Sequence, residues 1–170
     1  MRRNLTTGIM NNFGNRAFMG PDRYVGQSER RATPDKVKIL IVEDEMPLAM
    51  AMISVLTMMG CDVEAAHTGK KAIEKAAETK FDLITIDIGL PDISGFEICS
   101  ELRQRHISRN TPVIFISASQ REKDRQQSFK LGAVDYIEKP FETRSLVSRL
   151  LTHVPKAHSN TDSPFEKEFP

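Results

Sequence analysis

Cysteine is nearly absent from this chain, and the little there is forms no pattern. Cys61 and Cys99 stand apart, without the paired spacing of a metal site or a redox motif. This excludes a disulfide scaffold and reads as two reduced, buried thiols in a cytosolic protein. Long apolar runs are also missing: the longest uncharged stretch, around Pro47 to Gly60, is too short to cross a bilayer. The opening "MRRNLTTGIMNNFGNRAF" has a positive start but lacks the apolar segment of a secretory leader. Charge of one sign is not in excess. A net charge of +1 gives no global field for nucleic acid or a membrane surface, and neither is expected as a partner.

What is present suffices for one domain. Of 170 residues, 39% are hydrophobic, enough for a core with tails on both sides. Residues 1–35 are rich in Asn, Gly, Arg and Thr without hydrophobic periodicity, and read as a disordered extension. Residues 155–170 carry three prolines among polar residues and read as a flexible tail. The ordered domain is expected over residues 36–154.

Within it, five apolar runs alternate with helical segments. The runs are "VKILIVE" (Val37–Glu43), "DVEAAH" (Asp62–His67), "DLITID" (Asp82–Asp87), "PVIFIS" (Pro112–Ser117) and "DYIEK" (Asp135–Lys139). The first, third and fourth are nearly continuous Ile, Leu, Val and Phe, as expected of strands covered on both faces. The second and fifth are more polar and suit sheet edges. Between them, Pro47 fits the first turn of a helix that Gly60 ends. "GKKAIEKAAETK" favours helix, Ser94 and Glu97 make a capping box, and Leu146, Leu150 and Val154 recur four apart. The alternation predicts an α/β domain: a doubly wound parallel sheet with helices on both faces.

In such a sheet, ligands bind at the carboxyl ends of the strands. Those ends carry Glu43, Asp44 and Glu45, then Asp87, Ser117 and Lys139. If the first and third strands are neighbours, Glu43, Asp44 and Asp87 converge. Crowded carboxylates repel and call for raised pKa values or a bound cation. A hard ion with oxygen ligands, such as Mg²⁺, suits them. With a lysine and a hydroxyl added, these are the parts that handle a phosphoryl group, and Asp87 is a candidate acceptor. Asp82 and Asp92 read instead as turn formers or helix caps.

Four segments, "ILIVEDE", "LITIDIGLPDISG", "VIFISA" and "YIEKPF", resemble the receiver domain of two-component response regulators in order and separation. The likeness covers about Val37 to Val154 and points to a stand-alone, chemotaxis-regulator-like receiver. It implies a flavodoxin-like fold, with five strands in the order 2-1-3-4-5 and five helices. It implies that Asp87 is phosphorylated, that Asp44, Asp87 and the Gly89 carbonyl bind Mg²⁺, and that Glu43 assists through water. Lys139 would pair with the phosphoryl oxygens, and Ser117 would shift on activation with Tyr136, whose ring changes its burial. The Lys139–Pro140 bond is expected to be cis. Glu43 stands where Asp is commoner, and Ser117 where Thr is.

The resemblance also implies a donor, a phosphohistidine on a sensor histidine kinase or a histidine phosphotransfer protein, and an unidentified downstream protein. A phosphorylation-dependent dimer is compatible with it. The domain would catalyse its own phosphorylation and dephosphorylation without turning over an external substrate. No segment after Val154 has the length of an output domain, which gives the expectation of a single-domain regulator. Two other readings are a phosphorylation-independent pseudo-receiver and a flavin or nucleotide binder. The intact Asp44, Asp87, Ser117 and Lys139 disfavour the first, and the acidic "EDEMPLA" loop would repel the phosphate of the second.

One expectation concerns the first helix. Taking Leu48, Met52, Val55, Leu56 and Met59 as its inward stripe leaves Met46, Ala49, Met50, Ile53, Thr57 and Met58 facing out, with no charge among them. An adaptable apolar face of this kind marks an interaction site. In the resembled family this helix docks the phosphohistidine partner, so Met50 and Ile53 are expected at the centre of that contact.

Overall fold

The three nearly continuous apolar runs become the middle of a five-stranded sheet, because only strands covered on both faces can bury every side chain. The computed structural model describes residues 36–154; the expected N-terminal extension and C-terminal tail lie outside the described residues. In chain order the elements are β1 (Lys38–Val42), α1 (Met46–Met58), β2 (Asp62–Ala66), α2 (Gly69–Glu78), β3 (Leu83–Ile86), α3 (Gly95–Gln104), β4 (Val113–Ser117), α4 (Glu122–Lys130), β5 (Asp135–Glu138) and α5 (Thr143–Thr152). All pairings are parallel, in the order β2-β1-β3-β4-β5. The polar second and fifth runs are the edges, as their composition predicts.

Alternation along the strands divides the core in two. Leu40, Val42, Ile84, Ile86, Val113 and Phe115 meet the buried faces of α2 and α3. Ile39, Ile41, Leu83, Ile114, Ile116 and Ile137 meet α1 and α5 on the other side. Helix ends follow the local signals. The Ser94–Glu97 capping box opens α3, and the glycines that follow α1 and α4, Gly60 and Gly132, adopt φ of 86° and 79°. None of the described helices is long and apolar enough to cross a membrane.

The stripe expected of α1 needs one correction. Ala49, placed outward from the sequence, is fully buried with Met52 and Leu56, while Leu48, Val55 and Met59 are only half-buried. Ile53 is also half-buried and packs against the core. Ala49, Met52 and Leu56 fall at i, i+3 and i+7, one face of the helix, which a ranking by hydrophobic size does not reveal. Met46, Met50 and Met58 are exposed, at 50%, 63% and 83%.

Candidate functional site

Parallel register brings the polar strand ends together. Val42 pairs with Ile86, so Glu43 and Asp87 leave adjacent strands side by side, with the Asp87 N–H donating to the Val42 carbonyl at 2.9 Å. Ser117 pairs with Glu138, and the next residue, Lys139, donates its N–H to the Ser117 carbonyl at 2.8 Å. Asp44, Asp87, Gly89, Ser117 and Lys139 therefore line one open cleft of about 580 Å³. The Lys139–Pro140 peptide is cis, as expected.

Lys139 is the centre of charge. Its Nζ lies 2.5 Å from Asp87 Oδ2, 2.9 and 2.8 Å from the two Glu43 carboxylate oxygens, and 3.7 Å from Glu45. The Lys139, Glu43 and Asp87 side chains are only 11%, 2% and 10% exposed, so water does little to screen them. Burial pushes the Glu43 carboxyl above its ordinary pKa; Lys139 opposes this without cancelling it, and Asp87 adds to it. For Lys139, burial acts against the ammonium, but hydrogen bonds and charge from Asp87 and Glu43 outweigh it and raise the pKa. Glu43 is buried with both carboxylate oxygens on Lys139, while Asp44 is exposed.

The donor set suits a hard divalent ion. Glu43, Asp44 and Asp87 each offer a carboxylate oxygen, and the three lie within 4.8 Å of one another. Gly89 donates its N–H to Asp87 Oδ1 at 2.9 Å, which steers that carboxylate within the cleft.

Beyond the cleft floor, three hydrogen bonds run outward from Ser117. Its Oγ accepts the Ser119 N–H at 3.2 Å, and the Ser119 hydroxyl donates to Asp124 on α4 at 2.5 Å. The Tyr136 hydroxyl, from β5, donates to the Ser119 carbonyl at 2.6 Å, and the tyrosine is 1% exposed. Reading strand ends picked out Ser117, and the resemblance added Tyr136, but both missed Ser119 and Asp124; the hydroxyl-rich "SASQREKD" after β4 was the available signal. It also missed the reach of Glu45 to Lys139, and His67, whose ring bonds the Glu43 carbonyl at 2.8 Å. The expected docking residues Met50 and Ile53 lie on α1, which starts directly after this acidic cluster.

Comparison with known proteins bears on this arrangement. The profile of the response regulator receiver domain matches residues 39–151. The response regulator ArlR of Staphylococcus saprophyticus is 42% identical over 113 residues, covering 66% of this chain and 50% of that protein. The chain thus spans about half the length of this curated relative. Among solved structures, the chemotaxis protein CheY4 of Vibrio cholerae superimposes with a TM-score of 0.67 at 27% identity, covering 70% of this chain and 99% of that one. The receiver domain of a sensor histidine kinase from Pseudomonas aeruginosa, solved with a magnesium ion coordinated in its active-site cleft, gives 0.61 at 30% identity, covering 69% and 96%. Strand order, strand-end residues and profile agree, and the chain belongs to the family of response regulator receiver domains.

Proposed function

We propose that this domain accepts a phosphoryl group on Asp87, in a Mg²⁺-dependent reaction, from a phosphohistidine on a sensor histidine kinase or histidine phosphotransfer protein. It then relays the group or changes its binding to a downstream protein. The observation that carries this reading is the convergence of Asp87, Asp44, Ser117 and Lys139 at one cleft. An Asp87 oxygen attacks phosphorus; the O–P bond forms as the P–N bond breaks, and its electron pair returns to the imidazole nitrogen. Asp44, Asp87 and the Gly89 carbonyl would hold the cation, with Glu43 set behind them on Lys139. When bound, Mg²⁺ supplies positive charge against the transferring phosphoryl oxygens. Lys139 is already directed at Asp87 and pairs with those oxygens after transfer. Ser117 moves toward the new group, and through Ser119 the shift reaches Tyr136 and α4.

For docking, the exposed methionines of α1 offer a deformable apolar surface beside the cleft, with Met50 at its centre and Ile53 at its inner edge. The test of the whole reading is chemical. Purified protein given acetyl phosphate and Mg²⁺ should gain one base-labile phosphoryl group, and EDTA or Asp87→Asn should abolish the gain. Undiminished labelling of Asp87→Asn overturns the assignment.

A further inference from the structure

The loop from Ile88 to Ser94 carries Gly89 and is held at its base and at its tip. At the base, the Gly95 N–H donates to the Ile88 carbonyl at 3.1 Å. Gly95 sits so close to β3 that a Cβ there would lie 2.3 Å from the Asp87 carbonyl oxygen. At the tip, Asp92 spreads its carboxylate over the start of α2: Oδ1 accepts the Gly69 N–H at 2.8 Å and Oδ2 the Lys70 N–H at 3.0 Å. Ile93 lies on the same spot, where a Cβ at Gly69 would meet its Cγ1 at 2.3 Å.

The first turn of a helix leaves four N–H groups without intrahelical partners. In α2, Thr68 satisfies one of them, accepting Lys71 on its hydroxyl, while its carbonyl takes the first intrahelical bond from Ala72. Asp92 satisfies two more, those of Gly69 and Lys70, from a different loop. Backbone bonds from Lys70 and Gly69 hold its carboxyl below the ordinary range, so it remains an anion at the positive end of the helix. The helix therefore has its own cap, and the second one ties down a loop. Gly89 is three residues from Asp92, a reach of at most about 11 Å.

We infer that Asp92 is a positioning residue for the cation-binding loop: by clamping the first two amides of α2 it sets where the Gly89 carbonyl stands. This rests on the reading of the cleft as a Mg²⁺ site. The loop's other ties near its tip are apolar contacts of Leu90 and Ile93, which fix a backbone less directionally than two hydrogen bonds, and a carbonyl ligand has no side-chain rotamer with which to compensate.

The test uses the full chain and Mg²⁺ alone, following the Gly89 amide by NMR during titration. Wild type should bind saturably. Asp92→Ala should raise the Mg²⁺ Kd about tenfold, as for other residues that orient a metal ligand. Thr68→Ala, which weakens the same helix end without touching the loop, should lower stability and leave the Kd at the wild-type value. Asp92→Asn keeps one oxygen acceptor and should raise the Kd about threefold, a fraction of a hydrogen bond; it decides the question if the alanine variant fails to fold. Wild-type Kd in the Asp92 variants, or equal weakening by Thr68→Ala, overturns the inference alone. No saturable Mg²⁺ binding by wild type overturns the reading of the cleft and the inference with it.

Discussion

Two helices flank the cleft and are held in opposite ways. α1 buries Ala49, Met52 and Leu56 and rests Leu48, Ile53, Val55 and Met59 against the core. α4 buries one residue, Ser128, whose hydroxyl turns back to the Arg125 carbonyl at 2.6 Å. At its start, α4 is joined to the cleft through the Ser119–Asp124 bond, and its exposed Phe129 lies under the Arg125 guanidinium at 5.8 Å. Apolar packing makes α1 a fixed platform. Segments with few buried apolar contacts open at low free energy, so α4 is the one a change at Ser117 can displace. The firmly packed helix and the loosely packed one thus stand on different sides of Asp87, the proposed phosphoacceptor.

The sharpest way to break this contrast is to cut into each helix. Leu56→Ala should destabilise the domain by about 3 kcal/mol, because it deletes a fully buried side chain at the α1 interface. Phe129→Ala in α4 should shift stability by only about 0.5 kcal/mol. Urea melts of both variants measure the difference, and equal losses would abolish the distinction.

Next in size is a docking effect. Met50→Lys should reduce phosphoryl transfer from a phosphohistidine protein by about tenfold, the size of one interface anchor, while labelling by acetyl phosphate continues. Ile53→Asp should act in the same direction and also lower the midpoint of a urea melt, since Ile53 is half in the core. Transfer at the wild-type rate by Met50→Lys would remove α1 as the donor surface.

On the α4 side, Ser119→Ala should keep acetyl-phosphate labelling of Asp87 near wild type while shrinking the beryllofluoride-induced NMR shifts in α4 and around Tyr136. Removing the hydroxyl deletes one hydrogen bond, about 1 kcal/mol, and leaves the cleft ligands in place. Wild-type shifts across α4 would mean that the helix does not take its instruction through Ser119.

The smallest effect is read by acid and sets α1 against the β5–α5 junction. α1 contains no titratable group, whereas β5 is tied to α5 by Asp135, which accepts from Arg149 at 2.8 and 2.5 Å with His153 at 3.7 Å. Burial alone would raise the Asp135 pKa, but Arg149, the Tyr136 N–H and His153 outweigh it and lower it. A depressed carboxylate stabilises the fold above its unfolded pKa, and that stability is lost as pH falls through the folded value. Asp135→Asn should therefore cost about 1 kcal/mol or less near neutrality and nothing in strong acid. A difference that grows on acidification would reverse the sign of this argument.

The fold was legible because both of its main signals are local. Continuous apolar runs chose the central strands, and polar ones chose the edges. Ser94 with Glu97, Pro47 and Gly60 punctuated the helices where expected. Asp44, Asp87, Ser117 and Lys139 were legible as polar residues ending apolar strands, which the topology then gathers. What escaped depends on reach across the fold. The pairing of Glu43 with Lys139 joins residues 96 apart in the chain, and Ala49 is inside because it shares a helical face with Met52 and Leu56. Asp92 was read as a cap and is one, but its helix starts 23 residues upstream in the chain. No period or spacing in a sequence encodes that pairing.

Ser119 spends its N–H on β4, its carbonyl on β5 and its hydroxyl on α4. In genetic terms, substitutions at Ser119 and at its three partners should share one phenotype. A screen for alleles that still load phosphoryl but send no signal would collect at Ser117, Ser119, Asp124 and Tyr136. Suppressors of one such allele should arise at the other three positions rather than among the acidic residues of the cleft.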